Sequence, residues 1–504
     1  MLQIQDRVRG VSLREVLPHG QFVGAHDILA KSCCGNPRDC QPGDVFVAMV
    51  GADDDGHDYV RQAIERGASA VIAERLLPIK LPMCIVSNSN DAYGRLCQAL
   101  AGDPSSLLRT VGVTGSNGKT VTSLLIAAIF KAARQNVGTY TSIGSSDGKK
   151  IGTARSTFPS PPGLADWLNR TNSNGCENAV VEISSEGMAQ RRLSGVQLDA
   201  AVLTNLRRDH VDEHGSLLNV RKLKGRVFKH LKPHGFAVLN ADDPASQYFI
   251  TKLDRPAITF AMRDRAEIMA NVLERHASEQ TFLLTAGSEA IPVRTRMIGD
   301  HHVYNCLAAA AVALVLGVDL PTVVRGLESI DFVPGRMERI ECGQEFSVFV
   351  DAANTPDALN ASLKAVHQVT TGRVLCVFGA AGEQDQSSRP QLGRVVERTA
   401  HYSVITSNNP RHEEPLQIVH DILDGYDKPG QAHVLPDRAK AIQWALSQAR
   451  PGDSVVIAGK GDENIQIIGK KKIAWDDREV ARQWLYEQAN VPVRETEHGF
   501  RIVG

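Results

Sequence analysis

A glycine turn followed by lysine and threonine is the part of the sequence best suited to chemistry. Residues 114–120 read Thr-Gly-Ser-Asn-Gly-Lys-Thr. The backbone N–H groups of such a turn can point at phosphate oxygens, Lys119 can reach the outer phosphates, and the Thr120 hydroxyl can ligate Mg²⁺. We name residues 114–120 the P-loop and predict that they bind a nucleotide.

The residues on both sides of the P-loop predict a strand and a helix. Before the P-loop, the apolar residues 107, 108, 111 and 113 predict a short buried strand. After it, apolar residues recur at 121, 124, 125, 128 and 129, which is one face of a helix. Val113 occupies the position of the first glycine in the longer G-x-x-x-x-G-K-T motif. A glycine turn alone is often structural, but Lys-Thr at the start of a helix favours nucleotide binding.

An apolar strand over 179–183 ends in an acid and two hydroxyls, Glu182, Ser184 and Ser185. A carboxylate at the carboxyl end of a strand beside the P-loop strand suits the Mg²⁺ of a nucleotide, and a solvated glutamate is the alternative. Residues 209–214 hold two histidines and three acids, including His210, after a strand at 201–204. That density is typical of metal binding, and a charged loop is the alternative. The basic helix that follows, at 221–229, would alone be interpreted as a solvated face.

Composition limits the classes of function. The chain has 504 residues, for which two to four domains are expected, and 42% of the residues are apolar, which is enough for full cores. A net charge of −1 gives no electrostatic reason to expect nucleic acid or a membrane surface as a partner. The longest apolar run, 306–317, is too short to span a bilayer and predicts a buried helix.

The nine cysteines show neither a C-x-x-C metal pair nor a compact disulfide framework. We therefore predict reduced thiols and a cytoplasmic protein, because disulfides persist mainly in oxidising compartments. The N-terminal residues contain no signal-peptide apolar region. Cys33, Cys34 and Cys40 have no set of His or Cys partners nearby in the sequence, so we predict no metal site there.

The predicted fold class is α/β with three domains: 1–104, a small N-terminal α/β domain; 105–331, a central P-loop domain with a parallel sheet; and 332–504, a Rossmann-like C-terminal domain. A turn-rich linker is predicted at 101–106. In the first domain we expect strands near 45–50 and 68–73 and a helix at 59–65. In the third, strands at 348–350, 373–378, 401–406 and 454–457 each precede a polar loop, as binding loops do at the carboxyl ends of parallel strands.

Taken together, the motifs resemble the Mur ligases of peptidoglycan synthesis and, within them, the MurE branch, which adds the third amino acid to UDP-N-acetylmuramoyl-L-alanyl-D-glutamate. The resemblance covers nearly the whole chain. Its most specific parts are the P-loop, Glu182 to Ser185, Asp209 to Gly215, Gly335 to Glu338, Asn409 to Arg411, Gly459 to Glu463 and Asp476 to Glu479.

The resemblance assigns roles to particular residues. Lys119, Glu182, His210 and Lys224 are implied to be catalytic. The implied ATP ligands are Gly115, Ser116, Asn117, Gly118, Lys119, Thr120, Asn305, Arg336 and Asp351. Thr120, Glu182, His210 and a Lys224 carbamylated by CO₂ are implied to ligate Mg²⁺. Ser156, Thr157, Ser184, Gln190 and Arg192 are implied to hold the UDP-linked dipeptide, and Asn408, Asn409, Pro410, Arg411, Gly459 and Glu463 the incoming amino acid.

The implied reaction is ATP-dependent and proceeds through an acyl phosphate of the D-glutamyl side chain, with Mg²⁺ required and a monomer as the acting unit. Arg411 favours meso-diaminopimelate as the amine, because a guanidinium can grip the distal carboxylate that lysine lacks.

The sequence departs from the family pattern mainly in recognition segments. Asn36-Pro37-Arg38 replaces Asp-Ser-Arg at the uridine end, and Arg155 replaces an asparagine. Ala352 and Asn354 replace a tyrosine and a histidine, Gln384 replaces an arginine, Asn408 an aspartate and Asp462 a histidine. Two alternatives therefore stay open: a related ligase for another amine, of the lysine-adding or folylpolyglutamate type, and a non-catalytic nucleotide-binding homologue.

Overall fold

Mostly parallel sheets with helices packed on them carry the functional segments. The computed structural model describes residues 10–51, 54–153, 158–207 and 217–488. The chain separates into two units: the first comprises 1–269 and 305–326, and the second comprises 270–304 and 327–504. Within the described ranges, no helix is both long and apolar enough to cross a lipid bilayer.

A five-stranded sheet forms the N-terminal part of the first unit. Its strands lie in the order Gln21–Val23, Met83–Ile85, Ala70–Ala73, Val45–Val47 and Cys33–Cys34. Only the pairing of the first two is antiparallel. Helices Leu13–Val16, Val60–Glu65 and Ser89–Leu100 accompany it. The predicted strands near 45–50 and 68–73 and the helix at 59–65 are confirmed.

The central sheet places the P-loop strand, Arg109–Thr114, between Asn178–Glu182 and Leu198–Leu203, both parallel to it. Because parallel strands end at the same edge of a sheet, the residues after these strands meet beside the P-loop. In the first unit the strands run in the order Ile151–Gly152, Gly144–Ser146, Val137–Thr141, Asn178–Glu182, Arg109–Thr114, Leu198–Leu203, Leu231–Asn240, Ala257–Ala261 and the start of Ile268–Arg275.

Helices of this part of the chain supply further site residues. They are Lys119–Ala132, Pro161–Ser173, Ser185–Ala189, Leu217–Lys224, Pro244–Lys252, Asp300–Val315 and Leu320–Glu328. Asp300–Val315 contains the apolar run from Cys306, which is buried as far as residue 313. The predicted buried helix is therefore confirmed.

A six-stranded sheet organises the second unit. Its strands lie in the order Glu338–Arg339, Ser347–Asp351, Ser454–Ala458, Val374–Phe378, Tyr402–Ile405 and His433–Val434. All neighbours are parallel except the first pair. The helices are Pro356–His367, Arg389–Thr399, Pro415–Leu423, Arg438–Gln448 and Asp477–Gln488, and the antiparallel pairs are Gln280–Ala286 with Glu289–Thr295 and Ile465–Ile468 with Lys471–Ala474. All four predicted strands are present.

Two local predictions were wrong. Residue 107 does not belong to the P-loop strand: it ends a short helix, Pro104–Leu107, and is 65% exposed. Asp103 in the left-handed conformation and Pro104 at the first helical position start that helix inside the predicted linker. The basic segment is an α-helix only over Leu217–Lys224 and continues as a 3₁₀ helix, Gly225–His230. The domain boundaries at 104 and 331 stay predictions.

Candidate active site

Two glycines allow the P-loop to curl into a phosphate-sized nest. Gly115 has φ 147° and Gly118 has φ 83°, both in the region that L side chains rarely adopt. A Cβ at Gly115 would collide with the Thr204 hydroxyl, and one at Gly118 with the Asn305 carboxamide. The helix Lys119–Ala132 begins directly after Gly118, so its N-terminal N–H groups and positive dipole end face the same place.

Two residues that we did not predict hold the P-loop backbone in place. The Asn117 N–H donates to Asn205 Oδ1 at 3.0 Å, and Thr204 Oγ1 donates to the Asn117 carbonyl at 2.6 Å. The Ser116 N–H donates to the Asn205 carbonyl at 3.0 Å. Thr204 and Asn205 follow the neighbouring strand Leu198–Leu203, and polar residues at that edge were the signal that could have identified them.

Lys119 folds back over the P-loop. Its Nζ donates to the Gly115 carbonyl at 3.1 Å and to the Ser116 carbonyl at 2.8 Å. These contacts hold the ammonium group over the nest, where a phosphate oxygen could replace a carbonyl as its partner. That Lys119 meets the outer phosphates of a nucleotide stays a prediction.

A buried pair of oxygen ligands lies beside the P-loop. Thr120 Oγ1 donates to Glu182 Oε2 at 2.9 Å, and both residues are buried. The Ser142 N–H also donates to Glu182 Oε2 at 2.9 Å, and Ser142 Oγ lies 3.0 Å from Thr120 Oγ1. A hydroxyl and a carboxylate oxygen are ligands that Mg²⁺ prefers. Ser142 was absent from the sequence-based set, because it lies in a turn with no motif around it.

Lys224 belongs to the same group. Its side chain is 1% exposed, and Nζ donates to the Gly115 carbonyl at 2.9 Å and to Ser185 Oγ at 2.8 Å. On the same helix Lys222 is exposed. The interpretation of this segment as a wholly solvated basic face therefore fails at Lys224, whose burial could not be deduced from its charge.

Three of the residues predicted to hold the UDP-linked dipeptide lie around one short helix, Ser185–Ala189. Ser184 caps it, accepting the Gly187 N–H at 3.0 Å. Arg192 donates through Nε to Gln190 Oε1 at 2.7 Å and through Nη1 to the carbonyl of residue 158 at 2.9 Å. Ser156, Thr157 and the metal-binding candidate His210 lie outside the described residues.

Asn305 reaches the P-loop from the helix Asp300–Val315. Its Oδ1 lies where a Cβ on Gly118 would be and accepts a 3.4 Å hydrogen bond from Thr122 Oγ1. The carboxamide is buried. This contact places the predicted adenine-side residue next to the phosphate nest.

The other two predicted nucleotide residues, Arg336 and Asp351, lie in the second unit. Arg336 Nη1 donates to Asp462 Oδ1 at 2.6 Å. Asp462, which stands where the family has a histidine, therefore forms an ion pair with this arginine. Burial raises the pKa of Asp351 despite hydrogen bonds from Ser362 Oγ at 2.7 Å and the Ala353 N–H at 3.0 Å.

The predicted amino-acid pocket is a network around a lysine that we did not single out. Lys460, 1% exposed, donates to Asn409 Oδ1 at 3.0 Å and to Glu463 Oε2 at 2.9 Å, and Asn409 Nδ2 donates to the same Glu463 oxygen at 2.9 Å. Gly459 has φ 109°, and a Cβ there would meet Asn408 Nδ2. The hydrogen bonds of Lys460 thus join the predicted residues Asn409 and Glu463, and Gly459 lies next to Asn408.

Arg411 is the unusual member of this pocket. It follows the buried Pro410 and has a positive φ of 54°. Its Nε is buried and has no hydrogen-bond partner among the described residues. Its Nη1 lies 3.7 Å from Glu383 Oε2. Glu383 also has a positive φ, 57°, and the hydrogen bond to His412 lowers its pKa. Glu383 is thus a carboxylate directed at the guanidinium that was predicted to bind a substrate carboxylate.

Comparison with known proteins identifies the family. Models described as Mur ligase family, catalytic domain; Mur ligase middle domain; and Mur ligase, glutamate ligase domain match residues 35–97, 113–313 and 335–461. The UDP-N-acetylmuramoyl-L-alanyl-D-glutamate–2,6-diaminopimelate ligase of Geobacillus thermodenitrificans (strain NG80-2) is 38% identical over 472 residues, 92% of this chain and 96% of that protein. The chain belongs to the Mur ligase family.

Further comparisons agree with this assignment. The UDP-N-acetylmuramyl-tripeptide synthetase of Roseiflexus sp. (strain RS-1) is 36% identical, with 89% of this chain and 93% of that protein covered. A solved UDP-N-acetylmuramoyl-L-alanyl-D-glutamate–2,6-diaminopimelate ligase superposes with a TM-score of 0.68 at 29% identity, covering 95% of this chain and 99% of that one. The chain is therefore an ATP-dependent ligase with the three-domain architecture of the family.

Proposed function

We propose that this ligase joins meso-diaminopimelate to UDP-N-acetylmuramoyl-L-alanyl-D-glutamate, converting ATP to ADP and phosphate. The observation that carries the proposal is the burial of Lys224 against the P-loop carbonyl of Gly115, beside the Thr120–Glu182 pair. A buried lysine that contacts the P-loop backbone favours phosphoryl-transfer chemistry over nucleotide binding alone. The names and lengths of the relatives support the same substrates.

Nucleotide binding is assigned to the P-loop. The N-terminal N–H groups of the helix Lys119–Ala132 would hold the phosphates of ATP, because those of Ser116 and Asn117 already donate to Asn205. Lys119 would contact the transferred γ-phosphoryl group. Asn305 would face the adenine side, and Arg336 and Asp351 are also proposed nucleotide ligands. Electrostatic stabilisation of the spreading negative charge is the main rate-raising effect expected of this set.

The donor set fits Mg²⁺. Thr120 Oγ1 and Glu182 Oε2 are buried oxygen ligands 2.9 Å apart, next to the place proposed for the phosphates. When bound there, Mg²⁺ would neutralise charge on the phosphoryl oxygens. We propose His210 as a further ligand.

Lys224 is proposed to act as a carbamate. Its ammonium would first lose a proton, and the neutral amine would then attack CO₂, forming an N–C bond and releasing a second proton. The loss of two protons changes the side chain from a cation to an anion. The anion would present two oxygens on the P-loop side of the site, in place of the ammonium that now donates to Gly115 and Ser185. Oxygen ligands at that position suit a second Mg²⁺.

Two steps complete the proposed reaction. The D-glutamyl side-chain carboxylate attacks the γ-phosphorus of ATP, the bond to the ADP oxygen breaks, and an acyl phosphate forms. The amine of the amino acid then attacks the acyl carbon; phosphate leaves with the electron pair of its bond, and the nitrogen loses a proton. Activation is needed because a carboxylate is a poor electrophile. Ser184, Gln190, Arg192, Ser156 and Thr157 are proposed to hold the acceptor.

One contact favours a second candidate amine. The Glu383 carboxylate lies 3.7 Å from the Arg411 guanidinium and offsets the positive charge that a distal substrate carboxylate would need. A diamino acid with a cationic distal end, such as L-lysine, would find a carboxylate there. We keep meso-diaminopimelate as the first candidate because Arg411 retains a buried Nε with no partner among the described residues.

A panel of amino acids tests the proposal. Purified protein, the UDP-linked dipeptide, ATP and Mg²⁺ would be incubated with meso-diaminopimelate, L-lysine, L-glutamate or no amine, and phosphate release and product mass would be measured. We expect a product with meso-diaminopimelate and no phosphate release above background without an amine. Product only with L-lysine would transfer the proposal to the second candidate, and no product with any amine would overturn both.

Reaction of these substrates implies a cytoplasmic enzyme, which we propose acts as a monomer.

A further inference from the structure

Two thiols and a carboxylate meet at the edge of the five-stranded sheet, and none of the three is among the residues proposed to hold ATP, Mg²⁺ or the amino acid. One ligand atom from each of Cys34, Cys40 and Asp44 lies within 4.8 Å of the others, and all three residues are buried. The sequence-based analysis predicted no metal site at these cysteines. It considered only His and Cys partners near in sequence and omitted Asp44.

The fold explains how these residues meet. The strand Cys33–Cys34 pairs in parallel with Val45–Val47, so the chain between them must return to the starting end of the sheet. It does so through the 3₁₀ turn Pro37–Asp39, which ends at Cys40, and Asp44 directly precedes the second strand. Ligands from the end of one strand, the returning turn and the start of the next strand are thus brought to one place.

Asp44 is a buried carboxylate without a cation to balance it. Its oxygens accept the Gln41 N–H at 2.9 Å and the Ser32 hydroxyl. Among the described residues, no lysine, arginine or histidine makes an ion pair with it. Buried carboxylates are normally paired with a cation or coordinate a metal ion, because an uncompensated buried charge is costly.

The cluster borders a cavity of about 410 Å³ whose lining includes Ser32, Cys34, Asn36, Gln41 and Asp44. An ion held by the three ligand atoms would have one side toward this cavity. Three protein ligands with an open fourth position are typical of zinc sites that accept water or another small ligand.

We propose that Cys34, Cys40 and Asp44 bind one Zn²⁺ through two thiolates and a carboxylate oxygen, with the fourth position open to the cavity. Ligand atoms of tetrahedral zinc are separated by roughly 3.3–3.8 Å, so ligand atoms that lie within 4.8 Å of one another need to close by at most about 1.5 Å. Binding releases the two thiol protons; the cluster carries one negative charge before binding, from Asp44, and one after it. Two sulfur ligands select Zn²⁺ over Mg²⁺, which prefers oxygen.

Metal analysis of the full chain tests the site without nucleotide or amino acid, so the result is independent of the ligase activity. Protein kept reduced would be stripped with a chelator, incubated with Zn²⁺ or Co²⁺, and freed of unbound metal. We expect about one Zn²⁺ per chain and, with Co²⁺, the near-ultraviolet absorption of a thiolate–cobalt bond. No cysteine lies in the P-loop, so that absorption cannot come from ions bound beside the nucleotide site.

Matched variants locate the site. Cys34→Ser and Cys40→Ser should each abolish the thiolate–cobalt absorption or weaken metal affinity at least about tenfold, and Asp44→Asn should weaken it by a similar factor. Cys84→Ser, a buried thiol in the same sheet, and Asp39→Asn, an exposed neighbouring carboxylate, should change neither. Thermal unfolding of each metal-free variant identifies those that fail to fold.

Three results would overturn the proposal: less than about a tenth of an equivalent of Zn²⁺ on the reduced wild-type protein, equal loss in Cys84→Ser and Cys34→Ser, or a Cys34–Cys40 disulfide in protein purified under reducing conditions. The wild-type measurements alone decide the first and third, so the test does not depend on the folding of any variant.

Discussion

The P-loop site and the predicted amino-acid pocket differ in how fully their polar atoms are hydrogen-bonded. Around the P-loop, Lys119, Asn117 and Glu182 all have hydrogen-bond partners within the site. In the pocket of the second unit, Asn408 Oδ1 and Arg411 Nε are buried with no partner among the described residues. Buried polar atoms are nearly always paired, so an orphan in a native structure needs an explanation such as a missing ligand.

The difference separates two tasks. The proposed phosphate site is held by hydrogen bonds among backbone turns and neighbouring side chains, which suits chemistry that members of the family share. The amino-acid pocket holds two residues with positive φ, Glu383 and Arg411, and unpaired polar atoms that a substrate can satisfy. Strained and unpaired groups of this kind accumulate where specificity is set.

Loss of Lys119 should have the largest effect. Lys119→Met removes the cation expected to contact the transferred phosphoryl group, and we expect ligation to slow roughly 100- to 1000-fold with the fold intact. Steady-state phosphate release with each substrate saturating would measure it. Lys131→Met, an exposed lysine on the same helix, is the control and should keep its rate. A loss of rate smaller than tenfold in Lys119→Met would show that the P-loop lysine takes no part in phosphoryl transfer.

Lys224 comes next. Lys224→Ala should lower kcat about 100-fold, and short carboxylic acids added to the assay should restore part of the rate if the native group is a carbamate. Lys222→Ala, an exposed neighbour, should behave as wild type. Full activity in Lys224→Ala would contradict the phosphoryl-transfer role of this lysine.

Glu182→Gln keeps the shape of the side chain and removes its charge. We expect the Mg²⁺ concentration for half-maximal rate to rise roughly tenfold or more, because a neutral amide is a weaker ligand for a hard cation. The measurement is the rate as a function of free Mg²⁺. Glu177→Gln, at an exposed position, is the matched control; an unchanged Mg²⁺ requirement in Glu182→Gln would place the metal elsewhere.

Arg411→Lys tests the other side of the comparison. It keeps the charge but loses bidentate geometry, so the KM for the amino acid should rise about tenfold while the KM for ATP stays within about twofold. Arg394→Lys, exposed in the same unit, should alter neither. Equal changes in both constants would show that the pocket and the nucleotide site are not separable in this way.

The smallest effect concerns pH and Asp351. Burial raises the pKa of this acid above its usual 3.8, so the folded state keeps a proton that the unfolded chain has released. The free energy of unfolding should therefore fall as pH rises from about 4 to the raised pKa of Asp351. Above that raised pKa the loss of stability should be complete. Asp351→Asn should flatten this decline in denaturant titrations, and the exposed Asp357→Asn should not.

Elements with strong local signals were predictable. The P-loop, the strand that presents Glu182 and the four parallel strands of the second unit follow from runs of apolar residues that end in glycine or polar residues. The burial of Lys224 did not follow from its local sequence, in which it is one of several basic residues on a helix; only the family resemblance singled it out.

Residues whose roles depend on distant partners were missed. Thr204 and Asn205 support the P-loop only because the strand Leu198–Leu203 lies next to the P-loop strand, and sequence order does not reveal strand order. Lys460 and Ser142 act through partners far along the chain. Asp44 was missed for another reason: it lies near Cys34 and Cys40 in the sequence, but only His and Cys were considered as their partners.

A single peptide oxygen connects two lysines with different tasks. The carbonyl of Gly115 accepts hydrogen bonds from both Lys119 Nζ, at 3.1 Å, and Lys224 Nζ, at 2.9 Å. Carbamylation of Lys224 would remove its ammonium group and leave that oxygen to Lys119. The gas content and bicarbonate level of an assay buffer should then influence how tightly nucleotide is held as well as how fast product appears.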